Sequence, residues 1–173
     1  LYRSEDAGQT WSGVAGFLIQ RGGTIKGYAI DGDNLYLYSD RRAVFHTSDG
    51  GATFTEADVP MGNSNMEDFA AAGDTWAAVI GNGGVMYSFD AGQNWLFGPG
   101  AIWQVHGHGD TIFGTTFING LHRLVPGASE FEEMSNGLDN AGRGKNWTSV
   151  SSLGNAAIAR GMTYPGSRQE IYL

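Results

Sequence analysis

Apolar and polar residues alternate along this chain in short runs. Strand-forming runs such as Gly27-Tyr28-Ala29-Ile30, Ala43-Val44-Phe45-His46, Val85-Met86-Tyr87, Ile102-Trp103-Gln104-Val105 and Leu121-His122-Arg123 are separated by polar or glycine-rich turns. Further strand-forming runs begin directly after Gly32-Asp33, Gly73-Asp74, Gly109-Asp110 and Gly154-Asn155. Gly-Asp and Gly-Asn favour turns, and the residues behind them favour strands. No stretch of about 10–15 residues carries a clean 3.6-residue period, so the pattern predicts no helix. It predicts an all-β chain of tight hairpins.

The same phrase closes three of these runs. Ser4, Asp6, Gly8, Thr10 and Trp11 match Thr47, Asp49, Gly51, Thr53 and Phe54, and again Ser88, Asp90, Gly92, Asn94 and Trp95. All fit Ser/Thr-x-Asp-x-Gly-x-Thr/Asn-aromatic, with the aspartates 43 and 41 residues apart. A worn copy ends at Phe131, with Pro126 and Ala128 at the Asp and Gly positions. Such an aspartate can accept bonds from backbone N–H groups two or three residues on, closing an Asx-type turn. The glycine supplies a positive φ. The closing aromatic is expected in the core, as are Trp76 and Trp103 on their strands. On this reading the aspartates are folding elements, not catalysts.

Four strands per repeat of about 42 residues is the period and content of a propeller blade. The repeated phrase resembles the Asp-box, or BNR, repeat of the sialidase-like β-propellers, and the resemblance covers nearly the whole chain. That family includes sialidases, xyloglucanases, sortilin-type receptors, photosystem II assembly and stability factors, and exported bacterial repeat proteins. Gly83-Gly84-Val85-Met86-Tyr87-Ser88 and Ser135-Asn136-Gly137-Leu138-Asp139-Asn140 look most like the last two groups. The resemblance implies boxes on hairpin turns away from the ligand face. Leu1-Tyr2-Arg3 and Ile171-Tyr172-Leu173 read as the same strand of two different repeats. Two arrangements follow: four blades cut from a propeller of about six to eight, which is the expectation, or a closed four-bladed ring. Either way residues 1–173 form one domain or part of one.

Composition narrows the function. Ten basic against 18 acidic residues give a net charge of −8, which disfavours nucleic acid and anionic membranes. No run is apolar and long enough to span a bilayer. There is no cysteine, which removes disulfides and thiolate chemistry. Glycine at 28 of 173 and an aromatic content of 12% suit strands joined by tight turns.

Catalytic candidates are weak. A sialidase would show an arginine triad, a Tyr–Glu pair, an acid/base Asp and a Phe/Tyr-Arg-Ile-Pro segment. None of Pro60, Pro99, Pro126 and Pro165 follows Arg-Ile, and no spacing selects three of Arg3, Arg21, Arg41, Arg42, Arg123, Arg143, Arg160 and Arg168. Glu67 and Asp68, as strand neighbours, should face opposite ways. Glu130, Glu132 and Glu133 read as a solvated strand edge. His106 and His108 share a strand face ahead of Asp110, the only pattern that could hold metal, and read as polar residues at a strand end. Asp31-Gly32-Asp33-Asn34 lacks the distal glutamate of a calcium loop, since Arg42 stands there. Gly81-Asn82-Gly83-Gly84 reads as a hairpin. Trp147 reads as a core residue at a strand start, and Asn146-Trp147-Thr148 is a sequon only in a eukaryotic secretory setting.

The expectation is therefore a non-enzymatic, exported Asp-box propeller that binds a protein or carbohydrate, secreted or held in the cell envelope. It has no catalytic residue, cofactor or metal. The alternatives are a fragment of a sialidase- or xyloglucanase-like glycoside hydrolase and a photosystem II assembly-factor-like protein.

Overall fold

A computed structural model of the chain describes residues 1–14, 23–81, 84–116, 120–134, 146–153, 156–163 and 167–172, the last three stretches by their backbone alone. Among these residues seventeen strands lie in five antiparallel sheets. The first is a hairpin of β1 (Tyr2–Arg3) and β2 (Ser12–Gly13). Three four-stranded sheets follow. One holds β3 (Ile25–Asp31), β4 (Asn34–Ser39), β5 (Ala43–Thr47) and β6 (Thr55–Asp58). The next holds β7 (Met66–Ala72), β8 (Thr75–Ile80), β9 (Gly84–Ser88) and β10 (Leu96–Phe97). The third holds β11 (Ile102–His108), β12 (Thr111–Thr116), β13 (Leu121–Leu124) and β14 (Glu132–Glu133). The chain then runs through β15 (Asn146–Leu153), β16 (Ala156–Thr163) and β17 (Ser167–Tyr172).

Each sheet is a meander in chain order, so sequence neighbours pair and no connection crosses. The first strands stand side by side: β7 lies against β3 and β11, and β15 against β11. This is the arrangement of propeller blades around an axis.

The Gly-Asp dipeptides do what their composition predicts. Asp31↔Asn34, Ala72↔Thr75 and His108↔Thr111 flank two-residue turns, and Gly32, Gly73 and Gly109 adopt φ of 58°, 59° and 56°. A positive φ at the first central position suits a hairpin whose twist matches its strands. The boxes join the third and fourth strands, so they share an end of the molecule with these turns.

Sequence alternation did not reveal a second shared feature. The register slips by one residue near the start of every first strand: Ile25/Gly27, Met66/Asp68, Ile102/Gln104 and Trp147/Ser149. A bulge at a fixed place re-aims the residues that follow. Lys26, Glu67 and Trp103 occupy it and are exposed.

The core lies between sheets. Tyr36, Tyr38 and Val44 of one sheet meet Met66, Phe69, Trp76 and Met86 of the next. On the other face of that second sheet, Ala70, Val79, Val85 and Tyr87 meet Ile102, Val105, Ile112 and Phe131. Every residue of β8 is therefore buried, and Thr75-Trp76-Ala77-Ala78-Val79-Ile80 reads as an unbroken run rather than an alternation.

Two packing expectations are corrected. Trp103 is 45% exposed, because the bulge turns it outward, and Trp11 is 64% exposed, because its ring lies over its own turn. Phe131 and Trp76 are buried as expected, while Phe54 and Trp95 are half-buried.

Candidate functional site

The three boxes share one hydrogen-bond pattern. The hydroxyls of Ser4, Thr47 and Ser88 each donate to Oδ1 of the aspartate two residues on, at 2.8 Å. The same hydroxyls accept from the N–H of Gly8, Gly51 and Gly92 at 2.7, 2.9 and 2.9 Å. Oδ1 also accepts the N–H of Thr10, Thr53 and Asn94 at 2.8, 2.9 and 2.8 Å. Oδ2 accepts from their side chains at 2.6, 2.5 and 2.6 Å. The backbone donors thus include one four residues on, beyond the expected N–H groups three residues on, of Gln9, Ala52 and Gln93, which also favour the ionised carboxylates. The chain needs two successive left-handed residues to bring the donor four residues on into place: Ala7-Gly8, Gly50-Gly51 and Ala91-Gly92 all have positive φ.

The closing tryptophans brace the same turns. The indole N–H groups of Trp11 and Trp95 donate to the carbonyls of Gly8 and Gly92, at 3.1 and 3.0 Å. Each box carboxylate therefore accepts three bonds within its own turn. These bonds favour the ionised form: the Thr10 hydroxyl, chiefly, holds Asp6 at about 2, and the Asn94 side chain does the same for Asp90. Asp49 is held well below the usual carboxylate range, first by the Thr53 hydroxyl.

Among the described residues, two concave surfaces lie between the four-stranded sheets on the box side. The larger, about 630 Å³, separates the first and second four-stranded sheets and is lined by Asn34, Tyr36, His46, Asp74, Trp76 and Gln93, among others. Tyr36 and His46 stack at 4.7 Å and Trp76 meets Tyr36 edge-on at 5.2 Å. His46 Nε2 lies 2.9 Å from Asn34 Oδ1, and Trp76 donates to the Gly73 carbonyl at 3.2 Å. A smaller cleft of about 360 Å³ lies between the second and third sheets.

A third cavity, about 470 Å³, is lined by the first strands, with Tyr28, Ile30, Gln104 and His106 around it. Asp68 lies at its wall and links three sheets. Its Oδ1 accepts from the Phe69 N–H at 2.9 Å and the Tyr38 hydroxyl at 3.4 Å, and its Oδ2 accepts from the Val105 N–H at 3.0 Å. Burial pushes its carboxyl up, against the pull of those donors. Glu67 and Asp68 part as strand neighbours should, but alternation does not say which turns inward; the bulge at Glu67 leaves it exposed and draws Asp68 in.

The other candidates disperse. Glu132 and Glu133 form the exposed edge strand β14, where Arg123 meets Glu132 at 3.1 Å. Arg3 pairs with Glu5 and donates to the Gly50 carbonyl, and Arg42 lies 3.5 Å from Asp58. Arg21 and Arg143 lie outside the described residues, as do Asn82, Gly83 and 135–140. His106 and His108 do share a face of β11, and burial, then His108, lowers the His106 pKa. Among the described residues no three His, Cys, Asp or Glu side chains gather as a metal site would require. Asp31 accepts the Gly73 N–H at 2.6 Å and so ties two hairpin turns together. The backbone register places Trp147 at the position of Ile25, Met66 and Ile102. No helix among the described residues is long and apolar enough to cross a membrane.

No protein-family model matches the sequence, and no curated protein matches it. The fold has solved counterparts. A structure of YCF48 bound to D1 peptide aligns over 98% of this chain at 14% identity, with a TM-score of 0.59. YCF48 from Cyanidioschyzon merolae aligns over 92% at 13% identity and a TM-score of 0.56. The chain spans 57% and 56% of the length of these two. BamB from Moraxella catarrhalis aligns over 80% of this chain and 42% of its own, at 12% identity and a TM-score of 0.54. YCF48 and BamB are β-propellers, and this chain has their fold.

Proposed function

We propose that this chain is a non-enzymatic binding module: an Asp-box propeller that holds a protein partner on the surfaces between its blades. The observation that carries this reading is how the box carboxylates are used. All three accept bonds from their own turns, which supports a folding role for Asp6, Asp49 and Asp90, and the largest of the described concave surfaces, between the first and second four-stranded sheets, is the one offered for recognition. The neighbour solved with a peptide bound supports a protein ligand over a carbohydrate. In the same proposal the chain supplies about four blades of a larger propeller of six to eight, exported to the cell surface or envelope. The YCF48 likeness favours a second reading, an assembly factor that engages a segment of a membrane protein.

The experiment is a parallel screen of the purified chain against a displayed random-peptide library, a glycan array and a panel of chromogenic glycosides. Saturable peptide binding without turnover is expected. Glycoside turnover that a carboxylate substitution abolishes would overturn the proposal in favour of a hydrolase fragment.

A further inference from the structure

The two junctions between four-stranded sheets can be compared position by position. One residue before the box hydroxyl, the second sheet carries Tyr87 and the first carries His46. Tyr87 reaches across its junction: its hydroxyl donates to the Ser129 carbonyl at 2.8 Å, and its ring meets Phe131 edge-on at 5.8 Å. His46 makes no hydrogen bond across its junction: it stacks back on Tyr36 and bonds Asn34 within its own sheet, and only its ring edge meets Trp76 of the next sheet, at 6.3 Å. The cleft between the second and third sheets is about 360 Å³, and the groove that His46 lines is about 630 Å³, well inside the range of ligand sites.

The charge of this groove is one-sided. Glu56, Asp58 and Asp74 line it, and no lysine or arginine does among the described residues. Asp58 also meets Arg42. The phenol of Tyr36 in its floor is pushed up to about 12, first by burial and then by the fields of Asp31 and Asp74. The floor is aromatic, from Tyr36, His46 and Trp76. An occupant suited to both floor and rim is cationic and planar. A guanidinium stacks on aromatic rings and forks to a carboxylate, and it is more weakly hydrated than an ammonium.

We infer that the groove between the first and second four-stranded sheets binds an arginine side chain of the partner protein, with Tyr36, His46 and Trp76 beneath it and Asp74 as its counter-charge. This rests on the binding-module reading and adds the chemistry of the ligand. His46 is the specificity-determining position, since a tyrosine there would narrow the groove by reaching across it as Tyr87 reaches across its own junction.

The test is fluorescence anisotropy with a labelled glycine–serine peptide carrying a central Arg-Arg pair, beside peptides with lysine or citrulline in its place. Citrulline keeps the shape and removes the charge. The arginine peptide should bind saturably and weaken with added salt, and the citrulline peptide should bind about tenfold more weakly or worse. His46→Tyr and Asp74→Asn should each cost about tenfold in affinity. A melting curve run alongside shows that each variant is folded. Equal binding of arginine and citrulline peptides, no binding up to about 1 mM, competition by a neutral oligosaccharide, or indifference to His46→Tyr would each overturn the inference. The same variants taken through the random-peptide screen separate the two claims. Library binders that ignore His46→Tyr sink the groove and leave the binding module standing, whereas no binders at all sink both.

Discussion

Gly107→Ala is the sharpest perturbation of the blade packing. Gly107 sits on β11, and a Cβ built there would lie 2.0 Å from the carbonyl oxygen of Ala71 and 2.9 Å from its carbon. An ordinary carbon–oxygen approach is about 3.3–3.6 Å, so β7 and β11 would have to part by more than about 1 Å. Among the described glycines this is the one whose Cβ would come within 3.0 Å of backbone; at Gly27, Gly92 and Gly98 the obstacle is a side chain. Overpacking costs about 1–3 kcal/mol where side chains can adjust. Here the obstacle is a strand in the adjacent sheet, which puts the cost at the top of that range, about 3 kcal/mol. For a domain of this size that is roughly 6–12 °C in Tm. Urea unfolding followed by tryptophan fluorescence measures it, as a lower midpoint at unchanged slope. Gly100→Ala and Gly13→Ala are the controls, since no atom lies within 4 Å of either added Cβ, and both should stay within about 0.5 kcal/mol of the parent. A Gly107→Ala protein as stable as Gly100→Ala would refute the close contact of neighbouring first strands.

Other outcomes follow from single contacts. Tyr87→Phe removes the bond to the Ser129 carbonyl and should cost about 1–2 kcal/mol, read as a change in urea midpoint. Asp68→Ala leaves the Phe69 and Val105 N–H groups and the Tyr38 hydroxyl without their acceptor and should cost about 3 kcal/mol. The pH dependence has two opposed windows. Asp6 and Asp90 have folded pKa values near 2, below the unfolded value of 3.8, so their stabilisation is complete above about 4 and is lost as pH falls toward about 2. Asp68 is shifted upward, so its ionisation lowers stability as pH rises from about 4 through its folded value, and Asp68→Asn should flatten that limb of the Tm–pH curve. Asp49→Ala should lower Tm while leaving peptide affinity unchanged; lost affinity at an unchanged Tm would contradict the folding role of the box.

Much of the fold is legible in the chain because its local chemistry repeats. A Gly-Asp pair fixes the inner hairpin of each four-stranded sheet, a box fixes the outer hairpin of the first two, and their common spacing gives the blade. The bulge leaves no such trace. Lys26, Glu67 and Trp103 share no residue type, since the bulge is set by how first strands crowd the axis and not by a local preference. That is why Trp103 reads as a core residue and proves exposed. The double left-handed turn of the box is half-visible: Gly8, Gly51 and Gly92 announce it, but Ala7 and Ala91 conceal the residue before. The groove is less legible still. Asn34, His46, Asp74 and Gln93 come from two strands and two turns, and its opening depends on the contrast between His46 and Tyr87, which means nothing until the sheets are stacked.

The central claim is that recognition lies between blades, at the groove beside His46. Resonance mapping of the labelled chain with the arginine peptide tests it most directly. The account predicts that shifts on titration concentrate at Asn34, His46, Asp74, Trp76 and Gln93. Shifts concentrated instead at Tyr28, Ile30, Gln104 and His106, around the cavity between the first strands, would contradict it.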